Sequence, residues 1–290
     1  MTVRHALIGL LVSTLTALTS PAWSQSMEEI RERGVLRVAV YKDFPPYSYR
    51  DGARYRGTDV DLARAIAERM GLAMEVRAIG ADENMEDDLR NNIWKGHYIG
   101  GGVADLMMHV PFDPAFAEEN DRAIIFGPYF REQMAIAFDP ERLGDATDVT
   151  QLAEIRIGVE VDSVGDYYLS GAHGGLLSGA AQRMLTTDEA MDALIDGEVD
   201  AVLAPRAQLE GGLAARKADA FRLSMFQLRG MLRSFWDVAI AAKVGNDQLV
   251  AEVMSALAAL KQDGVLEAVT ADYGVSYMAP AADVTAVARP

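Results

Sequence analysis

Cysteine is absent from the 290 residues. That excludes a disulfide framework, thiolate metal sites and cysteine nucleophiles. It also suits an oxidising compartment, where stray thiols mispair. Histidine is scarce, with four in the chain. His97 and His109 are candidates to bracket a site, but two imidazoles do not define a metal centre. Basic charge is outnumbered, with Lys and Arg totalling 27 against 43 Asp and Glu, for a formal charge of -16. Such acidity argues against nucleic acid and against anionic membranes, both of which reward a basic surface. Long charge-free apolar runs are also missing, apart from one at the N-terminus.

That run covers residues 6–18, behind Arg4 and His5. It is shorter than the roughly 20 residues that span a bilayer. Ala22-Trp23-Ser24 follows with small residues at the two positions a signal peptidase reads. Residues 1–24 are therefore expected to be a secretory signal. Cleavage removes Arg4, the only formally charged residue of the segment, and takes the mature charge from -16 to -17. The protein is expected in the periplasm.

About half of the residues are apolar, enough for two cores of ordinary domain size. Residues 34–40 alternate as a strand and run into Asp43-Phe44-Pro45-Pro46-Tyr47, where two prolines end it. Leu62, Ile66 and Met70 recur every fourth residue as on an amphipathic helix, with Asp59 at the expected N-cap. Strands are predicted over 74–79 and 104–110, with a helix over 86–95 between them. A second run of strands and helices follows from residue 133, closing with an amphipathic helix over 247–262. This alternation implies α/β layers with largely parallel sheets.

Four segments, in order, resemble the family 3 bacterial extracellular solute-binding proteins. They are Leu36-Arg37-Val38-Ala39-Val40 with its Pro-Pro-Tyr loop, Gly57-Thr58-Asp59-Val60-Asp61-Leu62, Gly197-Glu198-Val199-Asp200-Ala201-Val202, and Leu260-Lys261-Gln262-Asp263-Gly264 with Tyr273-Gly274. The resemblance implies a periplasmic binding protein-like α/β fold of two lobes joined by two hinge crossovers. Lobe 1 is expected over 34–132 and 231–277, lobe 2 over 133–230, and a flexible tail over 278–290. Ligand is expected in the cleft at the C-terminal strand ends, where loop amides and helix N-termini are exposed.

Amino-acid receptors of this family hold the ligand carboxylate with an Arg after the third lobe 1 strand and the ammonium with an Asp after the last lobe 2 strand. Here an ungapped reading puts Ala117 and Pro205 at those positions, the latter followed by Arg206. A helix-start Ser163 survives, beside Asp162. Tyr41, Phe44 and Tyr47 in the first loop and His109 and Phe112 in the third complete the expected ligand contacts.

These departures point away from a standard amino acid and toward a flat aromatic carboxylate such as pyrroloquinoline quinone, with Arg206, Arg131 and Arg233 as candidate cations. They are similar to those of solute-binding proteins associated with periplasmic quinoprotein dehydrogenases. The leading expectation is a binding protein serving an inner-membrane ABC transporter permease, with no cofactor required and no catalysis. Two alternatives are an accessory protein docking on a quinoprotein dehydrogenase and an enzyme like the cyclohexadienyl dehydratases of this fold. A dehydratase needs a cleft acid and a carboxylate-binding Arg, a pair the sequence alone does not place.

Overall fold

The computed structural model describes residues 26–98, 100–144, 152–225 and 234–288. The expected signal (1–24) and Arg233 lie outside them. Among the described residues no helix is long and apolar enough to cross a membrane.

The eleven strands of the described residues are β1 (Val35–Tyr41), β2 (Tyr49–Asp51), β3 (Arg54–Arg56), β4 (Ala73–Ile79), β5 (Leu106–Pro111), β6 (Ala123–Phe138), β7 (Ile157–Glu160), β8 (Ala181–Met184), β9 (Ala201–Pro205), β10 (Arg222–Met225) and β11 (Phe235–Lys243). Apart from the hairpin β2-β3, they form one continuous sheet in the order β4-β1-β5-β11-β6-β9-β7-β8, with β10 also on β6. The pairs β1-β4, β1-β5, β7-β8 and β7-β9 are parallel, and β6 runs antiparallel to β9 and β11.

The periplasmic binding protein-like two-lobe arrangement follows from the packing. Apolar side chains of β1, β5 and β11 fill clusters on both faces of the first half, and those of β9 and the end of β6 do so in the second. β6 is the strand common to both halves. Its first part pairs with β11, from Ala123 to Gln133, and its last five residues pair with β9, from Met134 to Phe138. The expected boundary at residue 133 thus falls inside one unbroken strand. The strand's one turn signal, Gly127-Pro128, lies well before residue 133, so nothing in the sequence marks a break at that boundary.

Two local expectations are corrected. Asp59 does not cap helix α2 (Thr58–Arg69). Gly57 takes the N-cap position without a side chain, and loop carbonyls do the capping, with Thr58 N–H donating to Pro46 O and Asp59 N–H to Tyr47 O. A Cβ on Gly57 would lie 2.2 Å from Tyr47 O, so glycine is required there. Nor is the described part of the tail loose. Gly127 N–H donates to Ala286 O, Ala288 N–H to Ile125 O and Arg131 N–H to Met278 O, while Val284 is buried. The tail satisfies backbone groups of β6 on the edge that β11 does not cover.

Candidate functional site

The loop after β1 and the end of β5 bring four of the expected contacts together. Phe44 packs on Tyr41 (ring centroids 5.9 Å), Tyr47 (4.7 Å) and His109 (5.0 Å), and Tyr47 lies 4.2 Å from His109. Tyr41 and His109 are tied down from behind. Tyr41 donates its hydroxyl to buried Asp88 at 2.6 Å. Burial first, and then Asp88, raise the Tyr41 pKa.

His109 sits at φ 62, a left-handed conformation uncommon for a residue with a Cβ. It is held by its backbone N–H, which donates to the Tyr129 hydroxyl (3.0 Å), and by Nδ1, 2.9 Å from Asp59 Oδ2. Tyr129 in turn donates to Asp59 Oδ1 at 2.8 Å. The carboxylate read as a helix cap is therefore the buried anchor of the histidine. Burial, with Asp59 beside it, raises the Tyr129 pKa.

Arg206 takes a different role from an open anion site. It is 1% exposed and starts helix α8 (Arg206–Arg216), its guanidinium 5.5 Å from the Phe130 ring centre. Nη1 donates to Glu210 Oε2 at 2.5 Å. The same oxygen accepts from Ser276 N–H of lobe 1 at 2.8 Å. Glu132 of β6 lies in this cluster, fully buried, with Oε2 accepting from Ala207 N–H at 3.4 Å. Burial lifts its pKa to about 8, against the opposing pull of Arg206. The buried Tyr47 hydroxyl faces it, and burial together with Glu132 raises the tyrosine pKa as well. Tyr47 Oη, Glu132 Oε1 and Arg206 Nε and Nη2 make no hydrogen bond of good geometry, although Tyr47 and Glu132 face each other.

Phe112 lines a second feature, a cavity of about 490 Å³, and Ser163 does not line it but precedes Val164, which does. Lobe 1 contributes Pro111, Phe112 and Asp113, the two crossing strands contribute Arg131, Phe235, Trp236 and Asp237, and lobe 2 contributes Val164. Phe112 is fixed by its N–H to Asp237 O at 2.8 Å. Arg131 is bound twice by Asp237, at 2.6 and 3.0 Å, and lies over the Phe235 ring. Ser163 caps the helix Val164–Gly171, its Oγ accepting from Asp166 N–H. Asp162 beside it is exposed at φ 59. This helix start is already capped and faced by a carboxylate.

The two anchor positions are likewise apolar. Ala117 is packed in the cluster that holds Phe112, Phe116 and Leu89, and Pro205 ends β9 opposite Met134. His97 is stacked on Tyr98 at 4.5 Å, at the surface rather than with His109. Among the described residues no group of three His, Asp or Glu side chains could hold a metal ion. Sequence reasoning missed Glu132, Tyr129, Phe235 and Trp236. The signal available was Arg131-Glu132, a charged pair inside an otherwise apolar strand.

Comparison with known proteins places this geometry. Residues 36–94 match the model of the bacterial extracellular solute-binding proteins, family 3. Over 75 residues the chain is 40% identical to a cyclohexadienyl dehydratase of Pseudomonas aeruginosa, a stretch covering 25% of this chain and 28% of that protein. It is 22% identical to the L-cystine-binding protein of Escherichia coli, over 92% of this chain and 94% of that one. An amino acid ABC transporter substrate-binding protein from Streptococcus pneumoniae, solved with L-arginine, superposes with a TM-score of 0.62 at 21% identity, over 87% of this chain and 98% of that chain. The chain resembles the family 3 solute-binding proteins and has their two-lobed α/β fold.

Proposed function

We propose that this protein is exported, captures a small ligand between its lobes and presents it to an ABC-type membrane permease. We further propose that the ligand is a flat, largely apolar molecule rather than a standard amino acid. The supporting observation is the 490 Å³ cavity, walled by Phe112 of lobe 1, Phe235 and Trp236 of β11 and Val164 of lobe 2. Aromatic walls favour a planar ligand. Among the described residues the one cation lining it, Arg131, is held by both oxygens of Asp237. A zwitterion therefore finds no unengaged cation in that lining. Pyrroloquinoline quinone suits the rings but brings several negative charges toward Asp113 and Asp162. A planar ligand with little negative charge fits better. Nothing in the cleft speaks for docking on a quinoprotein dehydrogenase.

A thermal-shift screen tests this reading. A ligand at 100 times its dissociation constant adds roughly 2.7 kcal/mol. Planar aromatic compounds should raise Tm, pyrroloquinoline quinone less, and arginine and cystine not at all. Phe112→Ala should weaken the aromatic hits by about 0.5–1.5 kcal/mol of ring packing, plus lost burial. Tight binding of a common amino acid would overturn the proposal.

One observation favours a second reading. Glu132 is a carboxylic acid held protonated at neutral pH beside Arg206, the acid and guanidinium that a dehydratase site requires. Loss of water from a cyclohexadienyl compound, followed by the absorbance of the aromatic product, would reveal such activity. Glu132→Gln should abolish it. No product above the uncatalysed rate would dismiss this reading.

A further inference from the structure

The contact between the lobes is built around a carboxyl group with no hydrogen bond of good geometry to one of its oxygens. Glu132 lies on the strand common to both lobes, covered from lobe 1 by Tyr47 and from lobe 2 by Arg206 and Ala207. Helix α8 closes this contact against lobe 1. Glu210 receives Ser276 N–H, Gly211 sits so close to Pro46 that a Cβ would be 2.9 Å away, and Ala214 abuts Gly274. Separating the lobes draws Arg206, Glu210 and Ala207 away from Tyr47 and opens Glu132 to water. Buried and charged, Glu132 would hold its negative charge in a dry setting with only the Tyr47 hydroxyl facing Oε1, a costly arrangement.

We propose that Glu132 is a proton-binding site that couples closure of the lobes to pH, taking up a proton on closing and releasing it on opening. The charged and titratable groups facing it are Tyr47 from the β1 loop and Arg206 and Glu210 from α8. Beyond Tyr47 lie Asp59 with His109 and Tyr129. Arg206 opposes protonation but is itself neutralised by Glu210. Burial prevails, and the pKa moves from 4.5 to about 8 in the closed form. The sign follows. The closed form binds the extra proton, so closure is favoured in acid and weakened as pH rises between those two values. Each pH unit in that window shifts the closed-to-open ratio by up to about tenfold. Solute capture would then be strongest in acidic surroundings and release easiest in alkaline ones.

The test needs no ligand, so it stands or falls separately from the ligand proposal. The chain has no cysteine, so Glu68→Cys in lobe 1 and Glu198→Cys in lobe 2 give two unique labelling sites, both exposed. Distances between spin labels are measured on the full mature protein from pH 5 to pH 9. The expected result is a closed distance in acid, a growing open population toward pH 9, and a closed distance throughout for Glu132→Gln. An unchanged distribution in the parent overturns the proposal. So does a transition that persists in Glu132→Gln, since another group would then carry it. Should Glu132→Gln fail to fold, Tyr47→Phe serves. It leaves the acid in place without its facing hydroxyl, and it should keep the transition with a shifted midpoint. A midpoint identical to the parent's would count against the site.

Discussion

Replacing Gly211 by alanine separates the stability of a lobe from the closure of two lobes. Gly211 lies inside α8, where alanine is favoured over glycine by about 0.8–1.0 kcal/mol. Its new Cβ, however, would stand 2.9 Å from Pro46 Cβ and 3.0 Å from Pro46 Cγ, across the lobe contact. Overpacking of this kind costs about 1–3 kcal/mol. The proline ring cannot rotate away, whereas opening the lobes removes the clash completely. The variant should therefore keep or raise its Tm while its open population grows about 5- to 150-fold. Small-angle scattering of ligand-free protein should report a larger radius of gyration. Gly212→Ala is the control. Its Cβ meets Met191 Cγ at 3.2 Å and Cε at 3.4 Å, the flexible end of a side chain in the same lobe. It should gain helix stability with no change in radius. The reasoning fails if Gly211→Ala leaves the radius unchanged, or if both variants behave alike.

Asp59→Ala removes the shared acceptor of His109 and Tyr129 from a buried site. It should cost about 3–5 kcal/mol, seen as a Tm lower by roughly 6–20 °C. Glu132→Gln should change the pH dependence of unfolding. With the folded pKa raised, the parent loses stability as pH climbs from 4.5 to about 8, so the variant should gain over it in melts at pH 8–9 and little at pH 5. Deleting residues 278–290 should lower stability in urea titrations by at least about 2 kcal/mol, the value of one buried aliphatic side chain such as Val284. An unaffected midpoint would mean that the tail is dispensable.

The sequence made the α/β class legible through its periodicity, because strands and amphipathic helices each impose their own spacing. The resemblance supplied the lobes. The aromatic loop was legible too, since two prolines and three rings in seven residues can hardly be anything but a packed turn beside a strand end. What stayed hidden was pairing at long sequence separation. Arg206 reads as a free cation after a strand, and only its neighbours at residues 130, 132 and 210 show it buried and matched. Asp59 reads as a helix cap because that is the usual task of Asp before an apolar run. Carbonyls of the Pro46-Tyr47 turn had already taken that task, which left the side chain for His109. The tail reads as loose from its Ala and Pro content. It is ordered because β6 offers it unpaired backbone groups, a property of the sheet rather than of the tail.

Of the five non-glycine residues with positive φ among the described residues, three stand in or just after strands. Asp43 follows β1 at φ 54, His109 lies in β5 at φ 62, and Asp162 follows β7 at φ 59. Glycine would adopt these angles without the penalty of a Cβ, and the chain has 25 glycines. Keeping side chains there costs on the order of 1 kcal/mol or more at each position. At His109 the compensation is visible, since Asp59 and Tyr129 grip the ring and the backbone together. That grip also fixes the surface against which Tyr47 and Phe44 pack. The ring cluster is thus seated on an imidazole gripped by Asp59 and Tyr129, so the strain at His109 is held in place by buried hydrogen bonds rather than relieved by a glycine.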